Sequence, residues 1–240
     1  MSKRGNQRLA SRLIKQQQAR EARRKRSLRI SAIAAGVLLL VSIGVYAVYA
    51  NTKDTTHNVP QQANSAGTGI VAGSGPIKVD IYQDYLCPAC QAFHASAQER
   101  LQTMAQENKI TLTTYPIAIL DRLSTNRYST RSAAAVGCAA DSGKFAAFSD
   151  ALYDKQPAEG GAGYTDDELV NVGRSVGLGD AFAECVREGT YAGWPGFATE
   201  ESSRRGVTGT PTIFVNDKKV TPAQGQTITD AVFNAIAGQG

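Results

Sequence analysis

The chain has 240 residues, 42% hydrophobic and 20% charged, a balance that is ordinary for a globular protein and excludes disorder throughout. Its formal net charge is +5, but residues 1–29 hold eleven Lys/Arg against one acid, so the rest carries a net charge of −5. Because this basic arm runs directly into an apolar segment, we interpret it as a cytoplasmic topology signal and expect no nucleic-acid partner.

The apolar segment is Ile30–Ala50, which contains no charged residue. As a helix it would reach about 30 Å, the thickness of a bilayer core, so we predict a single transmembrane helix over 30–50. The positive flank precedes it, which predicts a cell-membrane protein with a cytoplasmic N-terminus and an extracytoplasmic domain. The small residues Val48 and Ala50 leave a second interpretation open, a long signal peptide cleaved after Ala50.

Residues 51–75 are rich in Asn, Thr, Gln, Gly and Ser. Such a composition buries little apolar surface, so we predict a flexible linker over 51–75 and a folded domain over 76–240. We see no dimerisation domain between the linker and the first predicted strand. We therefore expect a monomer.

The first half of the domain begins with a strand at Ile77–Gln83, where apolar and polar residues alternate. Apolar residues at helical spacing predict a helix that starts near Pro88, because proline is tolerated in a first helical turn. β-branched residues predict a second strand at Ile110–Ile117. A largely helical block follows, at about 120–205, with helices predicted at Arg127–Asp141, Phe145–Tyr153, Asp166–Val176, Asp180–Gly189 and Trp194–Arg205.

The C-terminal part begins with a glycine-proline turn that runs into a strand, within Val207–Val215. Asn216-Asp217 predicts a turn, Lys218–Thr221 a short returning strand, and Ile228–Ala237 a final helix. The predicted fold class is therefore α/β: helices cover a mixed sheet, with a helical insertion between the second and third predicted strands.

Cys87 and Cys90 form a Cys-x-x-Cys pair between the first strand and its helix. A helix N-terminus carries unpaired N–H groups and partial positive charge, which favour a thiolate. Cys87 is therefore the predicted nucleophile, because the thiolate is the attacking species. Cys90, one turn later, is the predicted resolving thiol, and Pro88 stiffens the turn between them.

Other roles for the cysteines are less consistent with the spacing. A purely structural disulfide across this pair would close too short a loop to constrain the unfolded chain. A metal site built on His94 lacks ligands, so we expect no metal and no cofactor. Among the three possible pairings, the remaining Cys138 and Cys185 are then predicted to form a structural disulfide worth about 4 kcal/mol.

Two segments together resemble the DsbA family of bacterial disulfide oxidoreductases. One is Cys87-Pro88-Ala89-Cys90 with its Asp84-Tyr85-Leu86 lead-in, and the other is Gly209-Thr210-Pro211-Thr212 before a strand. The resemblance covers roughly residues 76–238. It implies a thioredoxin fold in which a cis peptide at Thr210–Pro211 faces the cysteines and exposes backbone that can hold an extended substrate.

The sequence departs from the best-known members of that family at two positions. Ala89 stands where a histidine is common, which predicts a weaker oxidant and a less depressed pKa for Cys87. Ile81 stands where the family has a buried glutamate, and neither Asp80 nor Asp84 is at that position. The sequence therefore offers no proton acceptor for Cys90.

The predicted function is that of an extracytoplasmic thiol:disulfide oxidoreductase, which introduces disulfides into exported cysteine-containing proteins. By analogy with the family, its predicted partner is a membrane oxidase similar to vitamin K epoxide reductase. Two alternatives remain: an isomerase or reductase using the same cysteines, and a redox-inert module that binds peptides in the groove.

Overall fold

A computed structural model describes residues 57–239 and Ser42. The predicted basic arm 1–29 lies outside the described residues, and so does the predicted transmembrane segment 30–50 apart from Ser42. No helix within the described part of the chain is long and apolar enough to cross a membrane. The chain divides into units 1–54 and 55–240, and the domain described below belongs to the second.

A five-stranded mixed sheet, in the order β1-β3-β2-β4-β5, forms the centre of the domain. Only β2 and β3 run parallel; the other neighbouring pairs are antiparallel. The parallel pair is connected by helix α1, since parallel neighbours need a crossover rather than a tight turn. The elements are β1 (Ile70–Ala72), β2 (Ile77–Gln83), α1 (Pro88–Gln106), β3 (Ile110–Pro116), β4 (Thr212–Val215) and β5 (Lys218–Lys219).

Five helices and a short 3₁₀ turn lie between β3 and β4, and one further helix follows the last strand. The α/β fold with a helical insertion is therefore confirmed, and the segment at Trp194 is a helix. These elements are the 3₁₀ turn Asp121–Leu123, α2 (Tyr128–Asp141), α3 (Phe145–Asp154), α4 (Asp166–Ser175), α5 (Asp180–Glu188), α6 (Trp194–Arg204) and α7 (Ile228–Ala237).

A flexible linker was predicted over 51–75, but over 57–75 the structure differs from this prediction. Strand β1 lies within it and pairs with the edge of β3, where Ile70 is opposite Thr114 and buried. The indole of Trp194 donates a 2.7 Å hydrogen bond to the carbonyl of Gly67. Composition missed this order because the partners are backbone groups and a tryptophan that are distant in sequence.

Each face of the sheet is covered by different helices. On one face, α1 and α7 cover the alternating apolar residues Val79 and Ile81 of β2, whose side chains are almost fully buried. On the other face, Tyr82, Tyr115 and Phe214 pack with residues near α6. The strand periodicity of the sequence thus corresponds to two different hydrophobic layers.

A guanidinium group is held beside the second layer. Arg205 donates to Asp80 at 2.8 Å and to the Tyr82 hydroxyl at 2.9 Å, and it lies over the Phe214 ring. The Asp80 side chain is only 12% exposed, so its charge depends on this partner more than a surface carboxylate would. This contact joins the end of α6 to the sheet.

The β4–β5 hairpin turns at Asn216 and Asp217, whose φ angles are +46° and +62°. Two consecutive positive φ values match the twist of a two-residue hairpin, and Asn and Asp tolerate them. The observed β5, Lys218–Lys219, is shorter than the predicted Lys218–Thr221. Its two exposed lysines suit an edge strand.

Candidate active site

The two cysteines lie at the junction of β2 and α1. Cys87 is the N-cap residue of α1, and Pro88 occupies the first turn, where no N–H donor is needed. The Cys87 N–H donates to the Asp84 carbonyl at 3.0 Å, and the Cys90 N–H donates to the Cys87 carbonyl at 3.0 Å. Local turn geometry therefore places Cys87 at the positive end of the helix.

Cys87 is a free thiol with a perturbed acidity. Its pKa is lowered to about 6, first because Cys90 hydrogen-bonds to its sulfur; burial opposes the shift, and Thr210 and nearby backbone N–H groups add to it. At neutral pH the thiolate thus predominates. The attacking species of thiol–disulfide exchange is therefore available at this position.

Cys90 has the opposite electrostatic environment. It is also a free thiol and is 2% exposed. Burial, and then the neighbouring Cys87 sulfur, raise the pKa of Cys90 far above its usual range. The pair is therefore divided into an ionised sulfur and a protonated, more deeply buried one, as expected for a nucleophile and a resolving thiol.

The loop before β4 lies directly against Cys87. The Thr210–Pro211 peptide is cis, and the Cys87 Sγ is 3.3 Å from the Thr210 carbonyl oxygen. The two segments that carry the family resemblance, separated by more than one hundred residues, thus meet at one sulfur atom. Pro88 and Ala89 are exposed beside them, so the rim of the site is open to solvent.

Asp84 is a buried acid beside the site, to which the sequence analysis assigned no role. Its carboxylate accepts the Leu86 N–H at 2.9 Å and the Leu120 N–H at 3.0 Å. Burial raises the pKa of Asp84 to about 6, although these hydrogen bonds, Leu86 foremost, act in the opposite direction. No cation pairs with it among the residues described.

An acid three residues before Cys87, at the end of a buried strand, was the sequence signal for this group. The Cys87 charge also raises the pKa of Asp84, so the two groups interact. A carboxyl and a thiol that both titrate near pH 6 form a coupled pair. The ionised Cys87 sulfur therefore acts on the protonation of Asp84.

The other two cysteines and His94, which the sequence analysis rejected as a metal ligand, have structural partners of their own. Cys138 of α2 and Cys185 of α5 form a disulfide that joins two helices of the insertion. His94 is buried in α1 and its Nε2 lies 2.8 Å from Asp150. Among the described residues, no cluster of metal-binding side chains is found.

A cysteine pair at the N-terminus of α1, opposite a cis-proline loop of a mixed sheet, defines a DsbA-like thiol:disulfide oxidoreductase. The chain belongs to the thioredoxin family, whose family model matches residues 65–233. This family match and the structural matches given next confirm the thioredoxin-like fold, the DsbA-family resemblance and the predicted enzyme class.

Two solved structures from Mycobacterium tuberculosis resemble the chain at 26% identity. The reduced disulfide bond oxidoreductase DsbG matches with a TM-score of 0.61 over 72% of this chain and 87% of that one. Oxidised DsbA matches with a TM-score of 0.60 over 70% and 90%. Both matches cover most of the solved chains.

A curated relative matches the chain over only part of its own length. The serine/threonine-protein kinase PknE of M. tuberculosis is 31% identical over 134 residues, which are 52% of this chain. That match spans only 24% of the kinase's length. The similarity thus concerns one region of PknE.

Proposed function

We propose that the chain is a thiol:disulfide oxidase that works outside the cytoplasm and introduces disulfide bonds into exported proteins through Cys87 and Cys90. The observation that carries this proposal is the position of the Cys87 sulfur, at a helix N-terminus and 3.3 Å from the Thr210 carbonyl. An ionised sulfur next to the cis-proline loop, with the exposed Pro88 and Ala89 at its rim, suits an exchange reaction with an extended chain.

The reaction begins with the Cys87–Cys90 disulfide. A substrate thiolate attacks the Cys87 sulfur, forming a mixed disulfide, and Cys90 leaves as a thiolate that takes up one proton. A second substrate thiolate then attacks the substrate sulfur of the mixed disulfide, and Cys87 leaves as a thiolate. The substrate has lost two electrons and gained a disulfide, while the enzyme has become a dithiol.

The acidity of Cys87 favours oxidation over the isomerase or reductase alternative. A low pKa stabilises the reduced, thiolate form, and a stabilised reduced form makes the disulfide a stronger oxidant. The pKa of about 6 supports this direction although Ala89 replaces the histidine of the family pattern. Equilibration with glutathione distinguishes the two: a potential near that of thioredoxin would favour a reductase.

Export, the membrane anchor and reoxidation are further parts of the proposal. Residues 1–50 would anchor the chain with the domain outside, and a membrane oxidase similar to vitamin K epoxide reductase would take two electrons from the dithiol. The Cys138–Cys185 disulfide supports an oxidising compartment. Thiol labelling of intact cells with an impermeant reagent tests the location, and the size of the membrane-bound chain tests cleavage after Ala50.

The catalytic roles are tested with Cys87→Ser and Cys90→Ser in an assay that oxidises a peptide containing two cysteines. We expect Cys87→Ser to abolish oxidation. Cys90→Ser, incubated with the disulfide form of the peptide, should accumulate a mixed disulfide, because the Cys87 thiolate attacks the peptide disulfide and displaces one peptide thiolate while no Cys90 thiol is present to release it. Undiminished oxidation by Cys87→Ser would overturn the mechanism. Binding of the peptide without oxidation by the wild-type disulfide would favour the redox-inert module instead.

A further inference from the structure

One side chain of the helical insertion contacts the turn that carries Cys87. Gln156 lies just after α3, and its Nε2 donates to the Tyr85 carbonyl at 2.9 Å and to the Cys87 carbonyl at 3.0 Å. A carboxamide nitrogen has two hydrogens, so both are used on this turn. One side chain thereby bridges the residues on either side of Leu86.

Tyr153, three residues earlier, adds to the same contact. Its hydroxyl donates to the Asp84 carbonyl at 3.3 Å, and its own carbonyl accepts the Nε2 of Gln91 at 2.6 Å. Carbonyls at the beginning, middle and end of the turn thus receive donors from one short segment of the insertion. Helix α1 returns a donor to that segment through Gln91.

The Cys87 carbonyl has a special position within α1. It accepts the N–H groups of Cys90 and Gln91 at 3.0 and 3.1 Å, so it is the first acceptor of the helix. The orientation of this peptide determines where the Cys87 side chain stands relative to the free N–H groups of the first turn. A third donor, from Gln156, holds that orientation from outside the helix.

We propose that Gln156 is a positioning residue for the redox reaction: by bridging the carbonyls of Tyr85 and Cys87, it keeps the Cys87 sulfur where the N-terminus of α1 stabilises its thiolate. The helical insertion is thereby part of the active-site machinery as well as a cover for the sheet. This inference rests on the proposed function and deepens it. Gln156 acts through Cys87 and is not assigned a contact with substrate.

The test uses two substitutions that remove both donors at similar side-chain size, Gln156→Met and Gln156→Glu. Methionine leaves the carbonyls unbridged, whereas an ionised glutamate adds negative charge beside them and disfavours the thiolate further. Gln98→Met is the matched control, because Gln98 is also a half-buried glutamine but lies within α1. All are made in the full chain, with thermal unfolding measured alongside.

Two quantities are measured. The first is the pKa of Cys87, obtained from the thiolate absorbance, and the second is the alkylation rate of Cys87 near pH 6. For Gln156→Met we expect the rate to fall about three-fold, because the two lost hydrogen bonds reach the sulfur only through the orientation of the Cys87 peptide. Gln156→Glu should give a larger fall, and Gln98→Met none. A purely structural role would lower the melting temperature without producing this order.

A wild-type pKa of Cys87 in both Gln156 variants would overturn the inference. If neither variant folds, Gln91→Met removes the bond to Tyr153 on the other side of the contact and should also raise the pKa; an unchanged pKa there overturns the inference as well. An ordinary thiol pKa in the wild-type protein would instead defeat the proposed function, so the two failures are distinguishable.

Discussion

Replacing Asp84 by asparagine should change how the stability of the domain depends on pH. In the folded protein the pKa of Asp84 is raised from 3.8 to about 6, chiefly by burial. Ionisation is therefore harder in the folded state than in the unfolded state. The stability that the protonated carboxyl provides is complete below about pH 4 and is lost as the pH rises through about 6.

The size of the effect follows from the two pKa values. A shift of about two units corresponds to about 3 kcal/mol, which the wild-type protein loses between about pH 4 and 7.5 through this group. Asparagine does not ionise, so its variant lacks this loss. It also weakens one of the bonds from Leu86 and Leu120, at a cost of about 1–3 kcal/mol that does not vary with pH.

The assay is denaturant unfolding of both proteins at several pH values in the oxidised form, in which Cys87 has no proton to lose. The stability of Asp84→Asn relative to wild type should rise by about 2–3 kcal/mol from pH 4 to 7.5, because only the wild type has to ionise a buried carboxyl. The lower end of this range applies because an oxidised Cys87 carries no charge that would raise the pKa of Asp84 further. Asp180→Asn, at a fully exposed carboxyl, serves as control. A difference between Asp84→Asn and wild type that is constant with pH would refute the reasoning.

Other predictions concern the thiol, the second disulfide and the Arg205–Asp80 ion pair. Because the pKa of Cys87 is lowered from 9.0 to about 6, the free energy of unfolding of the reduced protein should rise by about 2 kcal/mol relative to that of the oxidised protein from pH 6 to 8. An equal pH dependence of the unfolding free energy in both forms would contradict this. Replacing Cys138 and Cys185 together by alanine should cost about 2–5 kcal/mol while peptide oxidation persists; loss of oxidation in a folded variant would give that disulfide a catalytic role. Arg205→Met should cost about 2–4 kcal/mol by leaving Asp80 without its cation, and a melting temperature like that of wild type would show the pair to be dispensable.

The strands and helices were largely predictable because their signals are local. Alternation over Ile77–Gln83 and helical spacing after Pro88 correspond to observed elements. The segment around Ile70 was not predictable in this way. Its order depends on the edge of β3 and on Trp194, and neither is near it in sequence.

The candidate site was predictable to the level of its motifs. Spacing singled out Cys87 and Cys90, and the family resemblance added Thr210 and Pro211. Asp84 was noticed as a nearby acid but given no role, since the family's buried glutamate corresponds to Ile81 and not to Asp84. Only its burial without a cation shows that it is an unusual carboxyl.

By itself, the sequence determined the class of chemistry and the order of the elements, because cysteine spacing, proline position and hydrophobic period are properties of neighbouring residues. The tertiary structure decided how acidic each sulfur is, because the burial of Cys90 and the contact of Cys87 with the Thr210 carbonyl both arise from the folded chain. The physical reason is that desolvation and hydrogen bonding depend on atoms brought together from separate parts of the chain. The spacing of residues along the sequence does not give those distances in the folded protein.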